Sequence, residues 1–100
     1  MYGFADGKGK AAQFKGPRGI AIDSKGDAWI CDSWNHRIRI MTRDGTVTTA
    51  CGNGDEKTAD GVGTAASFHY PLYICFNSDK SVAYFTEKRR VRAIDIATRE

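Results

Sequence analysis

Two short runs hold most of the side chains that could do chemistry. The first is Asp32-Ser33-Trp34-Asn35-His36-Arg37. A carboxylate, a hydroxyl and an imidazole this close together are the ingredients of acid–base, nucleophilic or metal chemistry. Their spacing argues against all three. Ser33 has His36 nearby but no Gly-x-Ser-x-Gly turn around it. The histidines, His36 and His69, are not spaced as a ligand pair within one element. Asp32 and Asn35 flank a tight connection, where short polar side chains bond backbone N–H groups. Arg37 is placed to reach a carboxylate or carbonyl on a neighbouring strand. The run therefore reads as structural, with no catalytic residue, no metal and no cofactor expected.

The second run is basic: Lys88-Arg89-Arg90, followed by Arg92. With Arg37, Arg39 and Arg43 it could hold phosphates, and Trp34, Tyr70 or Tyr73 could stack on bases. The plainer reading is a solvated face on which Arg alternates with Ile and Val. Asp55, Glu56 and Asp60 do not form a calcium loop, because Lys57 and Ala59 stand where oxygen ligands would fall. Cys31, Cys51 and Cys75 are odd in number and lack Cys-x-x-Cys spacing. Neither a disulfide nor a zinc site is expected, and Cys75 reads as a small apolar residue in a strand.

The elements that must position these runs come from a repeat. Asp6-Gly7-x-Gly9-x-Ala11-Ala12-x-Phe14-x-x-Pro17 recurs as Asp60-Gly61-x-Gly63-x-Ala65-Ala66-x-Phe68-x-x-Pro71. Seven of twelve positions are identical at an offset of 54. A period of this size marks a propeller, solenoid or array. Short β-rich runs follow each copy. Strands are predicted at residues 19–23, 28–32, 37–41 and 46–51, with turns at Ser24-Lys25-Gly26-Asp27 and Arg43-Asp44-Gly45. After the second copy they are predicted at 72–76, 81–86 and 91–96, with no fourth. Four strands and then three, all antiparallel and repeated, describe blades of an all-β propeller. The repeat divides the chain into residues 1–54 and residues 55–100.

On these residues the chain resembles the NHL repeat family of β-propellers. The resemblance rests on Phe14-x-x-Pro17-x-Gly19-Ile20-Ala21-Ile22-Asp23, on Gly26, and above all on Asp32-Ser33-x-Asn35-His36-Arg37-Ile38. The second copy departs from it: Tyr73 replaces the Gly, Asn77 replaces the Asp, and Thr86-Glu87-Lys88-Arg89-Arg90-Val91 replaces the last run. The resemblance implies two consecutive four-stranded blades, the second incomplete. It implies little about activity, since NHL propellers include binding modules, RNA binders and enzymes. A propeller needs about 4–8 blades. The chain is therefore read as a stretch of a longer propeller rather than as a unit whose copies close a ring.

The expected function is a non-enzymatic scaffold that binds a protein through one loop face. The alternatives are part of a lactonase- or lyase-type propeller enzyme, with catalytic residues outside this stretch, and RNA binding through a basic face. Because strand direction alternates, Trp34 and His36 should share a face with His69, Tyr70, Lys88 and Arg89, opposite Gly26 and Gly45. Phe14 and Phe68, with Pro17 and Pro71, should anchor the loops that enter each blade, both rings buried. No signal peptide or membrane-spanning run is read, no membrane partner is expected, and a cytoplasmic location is the expectation.

Overall fold

A computed structural model of the chain describes residues 5–54, 68, 70–87 and 90–97, the side chain of Lys10 excepted. The fold is all-β, built from two antiparallel sheets and no α-helix among the described residues. The first sheet contains β1 (Gly7–Lys8), β2 (Pro17–Ile22), β3 (Ala28–Asp32), β4 (Arg37–Met41) and β5 (Thr46–Cys51), in the order β1-β5-β4-β3-β2. The second contains β6 (Ile74–Phe76), β7 (Val82–Thr86) and β8 (Val91–Asp95) in sequence order.

Turn chemistry fixes the hairpins. Between β2 and β3 the Asp23 carboxylate accepts the backbone N–H groups of Lys25 and Asp27, each at 2.9 Å. Gly26 there takes φ +88°, which a side chain disfavours. Lys80, one repeat later, holds the same left-handed region at φ +59°. Between β4 and β5, Asp44 accepts from the Thr42 hydroxyl at 2.5 Å and the Thr46 N–H at 3.1 Å.

These bonds make the turns sensitive to acid. Burial alone would raise Asp23, but the Trp29 indole N–H and the N–H groups of Asp27 and Lys25 outweigh it and lower its pKa. The Thr42 hydroxyl and Thr46 N–H lower Asp44 to about 2. A depressed carboxylate stabilises the fold fully above its unfolded value, about 4, and the gain is lost as pH falls through the folded value. Thermal melts should therefore show a falling Tm between about pH 4 and pH 2. The fall should be shallower in an Asp23→Asn, Asp44→Asn variant. An equal fall in both proteins would place the acid sensitivity elsewhere.

The core lies between the sheets. Trp29, Cys31, Ile38 and Ile40 of the first sheet meet Ile74, Ala83, Phe85 and Ile94 of the second, with Phe68 among them. Trp29 meets Phe76 edge-on at 6.0 Å, and Phe68 meets Phe85 at 4.9 Å. The sheets approach closely at Gly19, where a Cβ would stand 2.6 Å from the Leu72 carbonyl oxygen and 2.7 Å from Tyr73 Cα. Close approach is the reason for glycine here.

Four expectations are modified. The first blade is expected to have four strands, but Gly7–Lys8 of the loop from Asp6 adds a fifth along the outer edge of β5. The strand expected from Leu72 begins at Ile74, since Tyr73 N–H also meets the Thr86 hydroxyl. Phe68 is buried, as expected, but Phe14 is only half-buried. Phe68 lies between two sheets, whereas Phe14 lies on the far face of the first, which carries no second sheet. The three cysteines are unbridged, yet Cys75 is exposed for that same reason on the far face of the second sheet. Burial pushes the Cys31 thiol up to about 12.

Candidate functional site

Antiparallel connectivity sends the links of each sheet to two opposite ends. The turns around Gly26 and Gly45 share one end, where Arg43 donates to the Lys25 carbonyl at 3.0 Å. The β3–β4 link, Ser33–His36, lies at the other. Leu72, Thr86 and Glu87 of the second sheet belong to that end too, held by Leu72 N–H on the Thr86 carbonyl and Glu87 N–H on the Arg90 carbonyl, both 2.8 Å.

A buried ionic anchor holds the β3–β4 link. Asp32 and Arg39 are both fully buried and meet at 2.8 Å. The Asp32 carboxylate also accepts the Lys15 N–H at 2.8 Å and the Asn35 amide at 2.7 Å. The Arg39 guanidinium donates to the carbonyls of Gln13 (2.9 Å) and Ala5 (2.7 Å), and to Asp6 (3.1 Å). It also lies over the Phe14 ring, 4.8 Å from its centroid. One side chain thus ties the leading loop, β4 and the β3–β4 link together.

The second blade repeats the device with altered residues. Arg92 pairs with buried Glu87 at 3.4 Å and lies over the Phe68 ring at 5.0 Å. The longer Glu87 does the work of Asp32 from one position later. Arg37, expected to reach a carboxylate or a carbonyl, donates to the carbonyls of Asn35 (3.4 Å) and Asn53 (3.2 Å). The buried carboxylate is held by Arg39, to which sequence reasoning gave no such role. The available signal was the recurrence of Arg after an apolar residue in both third strands, together with the Phe that recurs in each leading loop. The same geometry removes Arg39 and Arg92 from the expected basic patch, and places Arg43 at the opposite end.

Above this anchor sits an aromatic cluster. Trp34 is 55% exposed. Its backbone N–H donates to the Lys15 carbonyl at 3.0 Å, and its indole packs so closely on Gly16 that a Cβ there would overlap it. Tyr70 meets Trp34 edge-on at 5.4 Å and His36 at 4.4 Å. His36 was expected to face a partner. It is buried at 8% exposure, because its left-handed backbone (φ +53°) turns the ring inward. Its Nδ1 accepts the Tyr70 N–H at 3.2 Å, so it positions Tyr70. The Ser33 hydroxyl donates to the Pro71 carbonyl, closing the link onto the second sheet. Pro71 is buried and Pro17 exposed. His69, Lys88 and Arg89 lie outside the described residues.

The cluster borders a cleft of about 340 Å³ lined by Arg18, Ser33, Trp34, Tyr70 and Leu72. No group of three His, Cys, Asp or Glu that could hold a metal occurs among the described residues. No helix among them is long and apolar enough to cross a membrane.

The model of the NHL repeat matches residues 14–41. No curated protein matches the chain. Among solved structures, an auxiliary nutrient binding protein from Bacteroides thetaiotaomicron is similar at 30% identity and a TM-score of 0.77, over 93% of this chain and 26% of that one. A protein of unknown function from the same organism has 27% identity and a TM-score of 0.84, over 93% and 24%. An auxiliary nutrient binding protein from Bacteroides ovatus has 26% identity and a TM-score of 0.75, over 93% and 26%. These are propeller-type folds, and the chain spans about a quarter of their length.

Proposed function

Because the chain carries an NHL repeat at residues 14–41 within propeller-type sheets, we propose that it is a non-enzymatic binding segment that contacts a protein partner through the end bearing Trp34. The observation that carries this reading is the exposed indole of Trp34, fixed by Gly16 and Tyr70 beside a cleft. Rigid, partly exposed aromatics at a cleft are common binding anchors. The two similar structures described as nutrient binding proteins support a binding role. So does the electrostatics: among the described residues the shifted carboxylates, Asp23, Asp44 and Asp79, all move down, and all sit in hairpin turns away from Trp34.

The same reading gives the open sheet faces an occupant. Ile20, Ile22 and Met41 are exposed on the far side of the first sheet, and Tyr73, Tyr84 and Val91 on that of the second. Within the chain the opposite faces of these sheets form the shared core. Repetition of that packing makes further blades of the same propeller the partners of both open faces.

Selection from a random heptapeptide display library tests the binding reading. Peptides held by the chain should lose affinity at least about tenfold, roughly 1.4 kcal/mol, for Trp34→Ala. They should keep it for Lys25→Ala, at the other end, with both variants melting as the parent does. Equal binding to all three proteins, or no peptide selected, would overturn the reading.

A further inference from the structure

The chemistry of the cleft goes beyond its aromatic rim. Arg18 projects from β2 into its lining and is exposed. Among the described residues, none accepts a hydrogen bond from its guanidinium or forms an ion pair with it. That sets it apart from Arg37, Arg39 and Arg92. Arg39 is spent on Asp32 and Asp6, Arg92 on Glu87, and Arg37 on two carbonyls.

The acids of this end are consumed as well. Asp32 is fully buried and Glu87 nearly so, each on its arginine. The exposed carboxylates of Asp44 and Asp79 belong to hairpin turns at the opposite end. Among the described residues the cleft therefore presents one cation, no competing anion, and an apolar wall of Trp34, Tyr70 and Leu72. A guanidinium without a partner, set against aromatic rings, matches a planar carboxylate with apolar atoms beside it.

Resting on the protein-binding reading above, we propose that this cleft takes an acidic side chain of an extended peptide. The carboxylate lies on Arg18, and the adjoining apolar side chain lies against Trp34 and Leu72. A volume of about 340 Å³ suits one or two side chains and is small for a folded surface. RNA fits less well. Single-stranded nucleic acid is held by a row of cations along the phosphates, whereas among the described residues the cleft is lined by the single cation of Arg18.

The test uses the 100-residue chain and three probes. These are a blocked pentapeptide Gly-Phe-Glu-Leu-Gly, its Gln counterpart, and an eight-nucleotide oligouridylate, each titrated calorimetrically at constant salt. The Glu peptide should bind about tenfold or more tightly than the Gln peptide. In Arg18→Gln that ratio should fall to about one while the Tm stays unchanged, since Arg18 is exposed and forms no hydrogen bond or ion pair among the described residues. Equal binding of the two peptides, no binding of the Glu peptide, or tighter Arg18-dependent binding of the oligouridylate would each overturn the proposal. Heptapeptides that need Trp34 but carry no acid would sink this proposal alone and leave the binding reading standing.

Discussion

Arg39→Met should destabilise the chain by about 3–5 kcal/mol, close to the whole stability of a small domain. Methionine fills much of the same volume, so the loss is not a cavity. It comes from the Asp32 carboxylate, which stays fully buried without its cation. The carbonyls of Ala5 and Gln13 lose the guanidinium in the same change and keep only each other's backbone N–H groups, which loosens the leading loop. The double variant Asp32→Asn, Arg39→Met should cost less than the sum of the single changes, because the two groups are strongly coupled. Arg92→Met should cost less than Arg39→Met, since its bond to Glu87 is longer, at 3.4 Å, and its side chain is 12% exposed. Urea unfolding of the four variants measures all of this. A loss below about 1 kcal/mol for Arg39→Met would mean that the pair is dispensable.

Phe68→Ala should cost about 3–5 kcal/mol, the usual range for a fully buried aromatic. Its ring fills the seam between the sheets, against Phe85 on one side and the Arg92 guanidinium on the other. Truncation leaves a cavity between the sheets. Phe14→Ala should cost distinctly less. Its ring holds the equivalent place in the repeat and lies under Arg39 in the same way, but one side is open. Equal losses for the two variants would show that the far face of the first sheet is already covered.

The unequal burial of these two rings marks where the sequence stops being legible. The repeat, the strand positions and the sorting of turns to two ends could all be read from residue types, because hairpin chemistry is local. Gly26, Asp44 and Asp23 announce their turns within four residues. The anchor was hidden because it is long-range. Arg39 alternates with apolar neighbours as a solvated arginine would, and only the fold brings Asp6 and Asp32 to it. His36 misled for a related reason. A polar ring in a loop reads as exposed, and the positive φ that buries it leaves no trace in a residue type that rarely adopts it. The cleft was half legible: Trp34 and Tyr70 were singled out, whereas Arg18 became significant only once Arg37, Arg39 and Arg92 were seen to be occupied.

The two indoles provide the most direct measurement. Trp29 is buried with its Nε1–H on Asp23 at 2.9 Å, whereas Trp34 lies at the proposed contact end, so their indole N–H resonances report on different places. During titration with a heptapeptide selected by the chain, the Trp34 resonance should move with saturation and the Trp29 resonance should stay. A shift confined to Trp29 and to the hairpin turns at Gly26 and Gly45, or a Trp34 resonance that stays still while the peptide binds, would contradict the assignment of the binding end.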